Sequence, residues 1–512
     1  MTTSSAEPRL AGLRLCLFLL AVTAASLIIH GYHYGIEDEA IYLPAIKAHL
    51  NPALYPHDAI FFSPQTRATL FDELIALTSR TLRLRVDATV FFCHLLTLVA
   101  FFAGVWAFAS RLFPCDRGRL GGVLLVASLL TLPVAGTCIF IVDQHLHPRT
   151  LATALILFAA SRVLRKGADE PLRSRDYAIV ALLLACAALV HVQMAFYGVL
   201  FVCALLLPRR PLTGWLVLLA GALAIAVGMA LVAHPGPEWQ EASRTRTQHY
   251  LLQWEWFEWF GAIAPAFVLW GLAKLATRRG LNLAAEVAGR TALFTAFGVL
   301  AGCVITIPPQ FERLTPFQPL RSLHLTYTVM ILLAGGLLAE IVFRNKLWRW
   351  AMVLLPIAAG MCFAQRESFP DTHHIEWPGR HTGNDWVEAF LWVRSNTPPD
   401  AYFVLDPHYM SAPGVDFHGF RALAERGQMA DWDKDPGVVL LFPQAALRWS
   451  REVHALDHWQ SFTAADLRHL HNEFGVNWAV LPLPSSRREP AAFITLSDCP
   501  YQNRSAAVCR IK

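Results

Sequence analysis

Apolar positions gather into long uninterrupted runs between residues 10 and 364, parted by short stretches rich in Arg, Lys, Pro or Trp. Runs of about 15 to 22 apolar residues match the length a helix needs to cross a bilayer. The pattern predicts eleven spans, at about 10–29, 87–110, 119–137, 150–163, 177–192, 194–207, 213–233, 259–276, 291–307, 323–343 and 350–364. From residue 365 the texture changes: Asp, Glu, Arg, His and Pro recur every few positions and the apolar runs become short. The chain therefore reads as an α-helical polytopic membrane domain over 1–365, with a long first loop at 30–86, followed by a soluble α/β domain over 366–512. In that tail, apolar spacing predicts helices over 386–396, stopped by Thr397-Pro398-Pro399, and over 464–474, capped by Thr463. Strands are predicted at 402–405 and 478–481. The first run shows no small-residue cleavage site before His30, so it is read as a span rather than a signal peptide.

Composition supports this division. Of 512 residues, 55% are hydrophobic and only 16% charged, against about 25% charged in ordinary soluble domains. A single soluble domain is excluded. The net charge of +5 does not call for nucleic acid as a partner, because the basic residues cluster in alternate loops. These are Arg111, Arg117 and Arg119; Arg162, Arg165, Lys166, Arg173 and Arg175; Arg209 and Arg210; Arg278 and Arg279; and Arg344, Lys346 and Arg349. The positive-inside bias puts them, and the N-terminus with Arg9 and Arg14, in the cytoplasm. The breaks at 30–86, 138–149, 234–258 and 308–322 then face outward, and an odd number of crossings carries the tail outside as well. Arg80, Arg83 and Arg85 run against the bias, and the amphipathic stretch 70–84 that holds them reads as an interfacial helix. The division of 177–207 into two crossings at His191 and Gln193 decides the side on which the tail lies. Eight of the ten cysteines sit singly in or beside apolar runs as packing residues. Cys499 and Cys509 fall in the tail, where an oxidising compartment would let them form a disulfide.

Immediately after the first span, Gly31-Tyr32-His33-Tyr34-Gly35-Ile36 leads into three consecutive carboxylates, Glu37-Asp38-Glu39. Their repulsion must be relieved by a metal, by protonation or by a cationic partner. Adjacent positions in a helical turn point about 100° apart, so at most two can address one substrate. A carboxylate at a low-dielectric boundary can act as a general base towards a hydroxyl or bind a divalent cation; the same triplet also reads as a solvated acidic turn. Asp58, in Leu54-Tyr55-Pro56-His57-Asp58, is a further acid of this loop or the end of a turn.

This arrangement resembles the glycosyltransferase C superfamily of integral-membrane enzymes, and bacterial members of it with a similar Tyr42-Leu43-Pro44 … Leu54-Tyr55-Pro56 first loop. A second match is the tail segment Trp392-Val-Arg-Ser-Asn-Thr-Pro-Pro-Asp400-Ala. The resemblance implies about a dozen spans, an acidic pair just beyond the first span, an outward soluble C-terminal domain and a polyprenyl-phosphate sugar as donor. It also implies a location in the bacterial inner membrane. On that footing Asp38 is the base or metal ligand, with Glu37 or Glu39 as its partner, and Asp143 is the second-loop acid. Asp38 and Asp143 would hold a divalent cation, Mg²⁺ or Mn²⁺, if the reaction uses one.

The second outer loop, Val142-Asp143-Gln144-His145-Leu146-His147-Pro148-Arg149, is dense in polar groups. His145 and His147 alternate along an extended segment and suit a metal, a phosphate or plain hydrogen bonding. Arg149 opens a span, where an unpaired guanidinium is costly, so it should meet an acid or a phosphate. Arg321 and His324 lie one helical turn apart at a membrane mouth and can address a lipid-linked phosphate or snorkel to headgroups. The Trp-rich stretch around Trp239, Trp254, Trp256 and Trp259 reads as an interfacial belt. Three functions follow: transfer of sugar from a lipid-linked donor to an acceptor hydroxyl on the outer face, transport, or a non-catalytic scaffold. The near absence of charge in the middle of the spans and of any internal repeat places transport below transfer.

Overall fold

A computed structural model describes residues 10–66, 68–164, 172–207, 236–483 and 498–511, with isolated positions between 216 and 227. The chain divides into two compact units. One, the helical unit, takes Met1–Gly31, His94–His234 and Thr247–Gln365; the other, the mixed unit, takes Tyr32–Cys93, Pro235–Arg246 and Arg366–Lys512.

Six helical runs among the described residues are long and apolar enough to cross a membrane: Leu13–His30, Val86–Leu112, Trp256–Arg278, Asn282–Thr306, Pro309–Phe343 and Leu347–Ser368. Four further expected crossings form as shorter helices, Asp116–Ser128, Pro148–Val163, Ser174–Val190 and Val192–Leu206. The expected span at 213–233 lies outside the described residues apart from isolated positions. The shortness has local causes. His191 interrupts the run with φ −155°, closing one helix and capping the next by accepting a hydrogen bond from the Met194 amide at 3.3 Å. His147 begins Pro148–Val163 in the same way, its Nδ1 accepting from the Arg149 amide at 3.0 Å, with Pro148 in the first-turn position that needs no amide hydrogen. In the helical unit, Asp116–Ser128 and Leu323–Leu338 meet through glycines. A Cβ on Gly121 would stand 2.5 Å from the Gly335 carbonyl oxygen, so the two backbones approach as only small residues permit.

The mixed unit is built on a five-stranded sheet of β1 (Tyr402–Val404), β2 (Gly427–Gln428), β3 (Trp478–Pro482), β4 (Asp498–Gln502) and β5 (Ala506–Arg510), in the order β2-β1-β3-β5-β4. β1 runs parallel to β2 and β3, while β5 is antiparallel to β3 and β4. Successive residues of a strand point to opposite faces, and both faces are buried. Phe403, Trp478, Val480 and Val508 pack with Phe390 and Val393 of the helix Asp385–Asn396. Val404, Ala479, Leu481 and Cys509 pack with Leu467 and Leu470 of Ala464–Phe474. The tail elements legible in the sequence form the centre of this unit: Asn384 caps the first helix through the Trp386 and Val387 amides, and Thr463 caps the second in a reciprocal box with Asp466. Cys499 and Cys509 are bonded as a disulfide between the antiparallel β4 and β5.

The first loop departs from its expected grouping. Residues 32–93 fold with the tail rather than with the spanning helices. The reason is apolar surface: Ile41, Ala45, Tyr55 and Phe62 form one buried cluster with Val438, and Phe61 joins another with Trp449 and Val453. Burying such side chains contributes about 1.5–3 kcal/mol each, which a solvated loop would forgo. Asp58, read above as an extra acid or a turn end, serves as a structural partner. Its Oδ2 accepts from Arg421 Nε at 2.5 Å and from the Gln428 amide at 3.0 Å, fully buried. Phe71–Leu82 is a helix, as the amphipathic stretch required, with Leu74, Leu77 and Leu82 exposed along it.

Candidate functional site

The three consecutive carboxylates do not share one fate. Glu37 sits at φ +49°, in the left-handed region that costs a side-chain-bearing residue about 1–3 kcal/mol. A hydrogen bond from its amide to the Phe417 carbonyl at 3.1 Å and the bridge between Ile36 and His418 hold it there. Asp38 directly precedes the helix Glu39–Leu50, yet its side chain does not cap that helix. Glu39 turns inward and is buried, Oε2 accepting from the Gly35 amide at 2.7 Å. Glu37 and Asp38 therefore remain accessible, with side chains 35% and 40% exposed, and Glu39 supports the turn that presents them.

The cation that relieves their repulsion is Lys434. Its Nζ donates to Glu37 Oε2 and, at 3.3 Å, to Asp38 Oδ1. Burial opposes the charge on Lys434, but the Glu37 carboxylate and then that of Asp38 outweigh it and hold the ammonium above its ordinary pKa. The position of Lys434 is fixed from below: its amide donates to Asp431 Oδ1 at 2.6 Å, and the next residue, Asp435, binds both terminal nitrogens of Arg421 at 2.8 and 2.9 Å. Sequence reading missed Lys434. The charge run Asp431-Trp432-Asp433-Lys434-Asp435 was its only mark, and nothing in spacing links it to a triplet 397 residues away.

A second polar focus lies in the helical unit. Arg149 Nη2 donates to both Asp143 oxygens, at 2.7 and 2.6 Å, with both residues buried. Burial would raise the Asp143 carboxyl, but Arg149, then His147 and His145, bring it down to about 2. Arg149 retains two further donor atoms, Nε and Nη1, that meet no acceptor among the described residues. The rings of His145 and His147 lie 5.8 Å apart, and those of His147 and His191 lie 6.0 Å apart. Arg321 and His324, expected to address one anion, take different partners: Arg321 Nη1 donates to Gln193 Oε1 at 3.3 Å, and His324 Nε2 donates to the Ile141 carbonyl at 2.8 Å. Close to Arg321 in sequence, an apolar cleft of about 110 Å³ is lined by Phe196, Leu200, Phe294, Phe297, Leu314 and Ser322.

Neither focus, as arranged, fits a divalent ion. Glu37 and Asp38 already share an ammonium, Asp143 a guanidinium, and no group of three or more His, Cys, Asp or Glu side chains among the described residues could hold a metal.

Residues 384–455 match the model of a domain of unknown function, DUF6798. No curated protein matches the chain. Among solved structures, arabinofuranosyltransferase AftD from mycobacteria is similar with a TM-score of 0.54 at 13% identity, over 99% of this chain and 42% of that one. Oligosaccharyltransferase AglB from Archaeoglobus fulgidus, in complex with an inhibitory peptide and a dolichol-phosphate, gives a TM-score of 0.46 at 12% identity, over 91% of this chain and 69% of that one. The Archaeoglobus fulgidus oligosaccharyltransferase in complex with Zn and sulfate gives 0.41 at 14% identity, over 91% and 67%. The likeness to the arabinofuranosyltransferase extends over nearly the whole chain and shows the fold: the chain shares that architecture of several apolar helices with a small C-terminal mixed sheet.

Proposed function

We propose that the protein is an inverting membrane glycosyltransferase that moves a sugar from a polyprenyl-phosphate donor to an acceptor hydroxyl, with the mixed unit on the outer face of a bacterial inner membrane. Asp38 takes the proton from the acceptor hydroxyl. The acceptor oxygen attacks the anomeric carbon, the bond from that carbon to the phosphate oxygen breaks, and its electron pair leaves with the polyprenyl phosphate. Asp38 rather than Glu37 is assigned as the base because Lys434 approaches Glu37 more closely, which leaves the Asp38 carboxylate the less tightly held and the more exposed of the two. Glu37 and Lys434 hold the charge of the pair, and Glu39 braces the turn.

The observation that carries the reading is Arg149. A buried guanidinium with two donor atoms that meet no acceptor among the described residues is costly, and a phosphate oxygen is the acceptor that matches its planar fork. Arg321 offers a cation to a lipid-linked phosphate, and the apolar cleft lined in part by its chain neighbour Ser322 offers apolar surface. His145 and His147 supply hydrogen bonds around it, His147 through Nε2 because its Nδ1 accepts from the Arg149 amide.

The test is transfer from synthetic polyprenyl-phosphate sugars by the purified full chain in lipid nanodiscs. Asp38→Asn is expected to lose at least about 10²-fold in rate, the range of general-base contributions, with expression unchanged. Arg149→Lys, which keeps the charge and loses the fork, is expected to lose donor affinity. Full transfer by the Asp38→Asn protein would remove the base assignment.

A further inference from the structure

The mixed unit contains a cavity of about 510 Å³ that the chemistry above does not use. Its size falls within the roughly 300–1,000 Å³ of ordinary small-molecule sites. It is assembled by the first loop and the tail together, and its charges are nearly balanced: Lys47, Arg85, Arg380 and Arg394 against Asp87, Glu376 and Glu425. Such a lining offers many directed donors and acceptors but little net field, a poor match to a nucleotide or a polyphosphate and a good one to a polyhydroxyl.

The lining is pre-arranged. Glu425, at φ +54°, accepts from Lys47 Nζ at 2.8 Å and faces Arg394 Nη1 at 3.6 Å, both through Oε1. Lys47 also donates to the Ala422 carbonyl at 2.6 Å and lies 6.0 Å from the centre of the Tyr34 ring. On the opposite rim, Asp87 Oδ2 accepts from Arg85 at 2.8 Å and from the Gly379 amide at 2.9 Å. That bond pins the turn Trp377–Arg380, closed by the Arg380 amide on the Trp377 carbonyl at 3.1 Å. Trp377 is braced against Phe91 at 5.5 Å while remaining 47% exposed, so an indole ring lines the cavity beside fixed polar groups. Aromatic faces take the C–H side of a sugar ring, and carboxylate and guanidinium groups take its paired hydroxyls.

We infer that this cavity is a saccharide-binding site, holding the glycan that carries the acceptor hydroxyl. The assignment of the glycan as acceptor rests on the transferase reading; the binding itself does not. The test is saturation-transfer difference NMR on the full chain in nanodiscs with cellotriose, mannotriose, chitotriose and trigalacturonate. At least one of the four is expected to bind saturably, and Trp377→Ala and Thr382→Ala, both at accessible positions, are expected to weaken it about tenfold, as loss of a contact hot spot does. Asp38→Asn is expected to bind the same saccharide as well as the parent while losing transfer. Saturable binding without transfer by the parent protein would leave this site standing and remove the transferase. Absence of saturable binding by all four probes, or binding indifferent to both variants, would overturn the site and leave the transferase untouched.

Discussion

At the scale of the residue, the decisive feature is how three adjacent carboxylates are divided among three tasks. Glu39 is consumed by a backbone amide, Glu37 by an ammonium held in a strained turn, and Asp38 is left with the weaker share of that ammonium. The sequence announced the triplet, but the division does not follow from helical geometry, because Glu37 is left-handed and the helix begins only at Glu39. It could not announce Lys434, because the cation reaches the triplet through tertiary structure alone. If Lys434 sets the working charge of the pair, Lys434→Met leaves two carboxylates facing each other, and their repulsion disfavours the doubly ionised form. The acidic limb of the pH–rate profile is then expected to move to higher pH. A merely structural lysine would lower the rate at every pH and leave the limb where it is.

At the scale of the element, the first loop is tied to the tail by a buried guanidinium. Arg421 meets Asp58 from the loop and Asp435 from the tail, with Asp431 at 3.6 Å, and all four side chains are buried. Such an arrangement is costly to break from one side, since removing the cation leaves carboxylates buried and uncompensated. Arg421→Ala is expected to cost about 3–5 kcal/mol in denaturation of the full chain, with the loop becoming protease-sensitive before the sheet. The surface pair Arg451–Glu473, more than a third exposed on both sides, is the control: Arg451→Ala is expected to cost at most about 1 kcal/mol. Equal losses would mean that the loop is held by its apolar contacts alone. The elements themselves were largely legible. Apolar runs marked the helices, and Thr463 and the Thr397-Pro398-Pro399 stop marked tail boundaries within a residue or two. The union of loop and tail was not legible, because it depends on pairs such as His33 with Glu376 and Asp58 with Arg421, more than 300 residues apart, that leave no periodic trace.

At the scale of the whole molecule, the side on which the tail lies depends on the parity of the crossings, and parity turns on His191. At 1.5 Å per residue, the 17 residues of Ser174–Val190 span about 26 Å and the 15 of Val192–Leu206 about 22 Å, each short of a hydrocarbon layer of about 30 Å. Length alone does not decide whether the broken run crosses once or twice. The disulfide supplies an independent argument, because a Cys499–Cys509 bond in a short antiparallel pair persists in an oxidising compartment and is reduced in the cytosol. Two crossings and an outer tail agree with it; one crossing would put the disulfide where it cannot last. Peptide-resolved alkylation of intact cells separates the two. Cys499 and Cys509 are expected to resist maleimide until reduced. A cysteine introduced by Ser395→Cys in the tail is expected to react with a membrane-impermeant maleimide from outside, while one introduced by Ser174→Cys reacts only after permeabilisation. Labelling of the Ser395→Cys protein only after permeabilisation, with Cys499 and Cys509 alkylated without reductant, would place the tail in the cytoplasm, and Asp38, which belongs to the same compact unit, would then stand on the wrong face for the proposed chemistry.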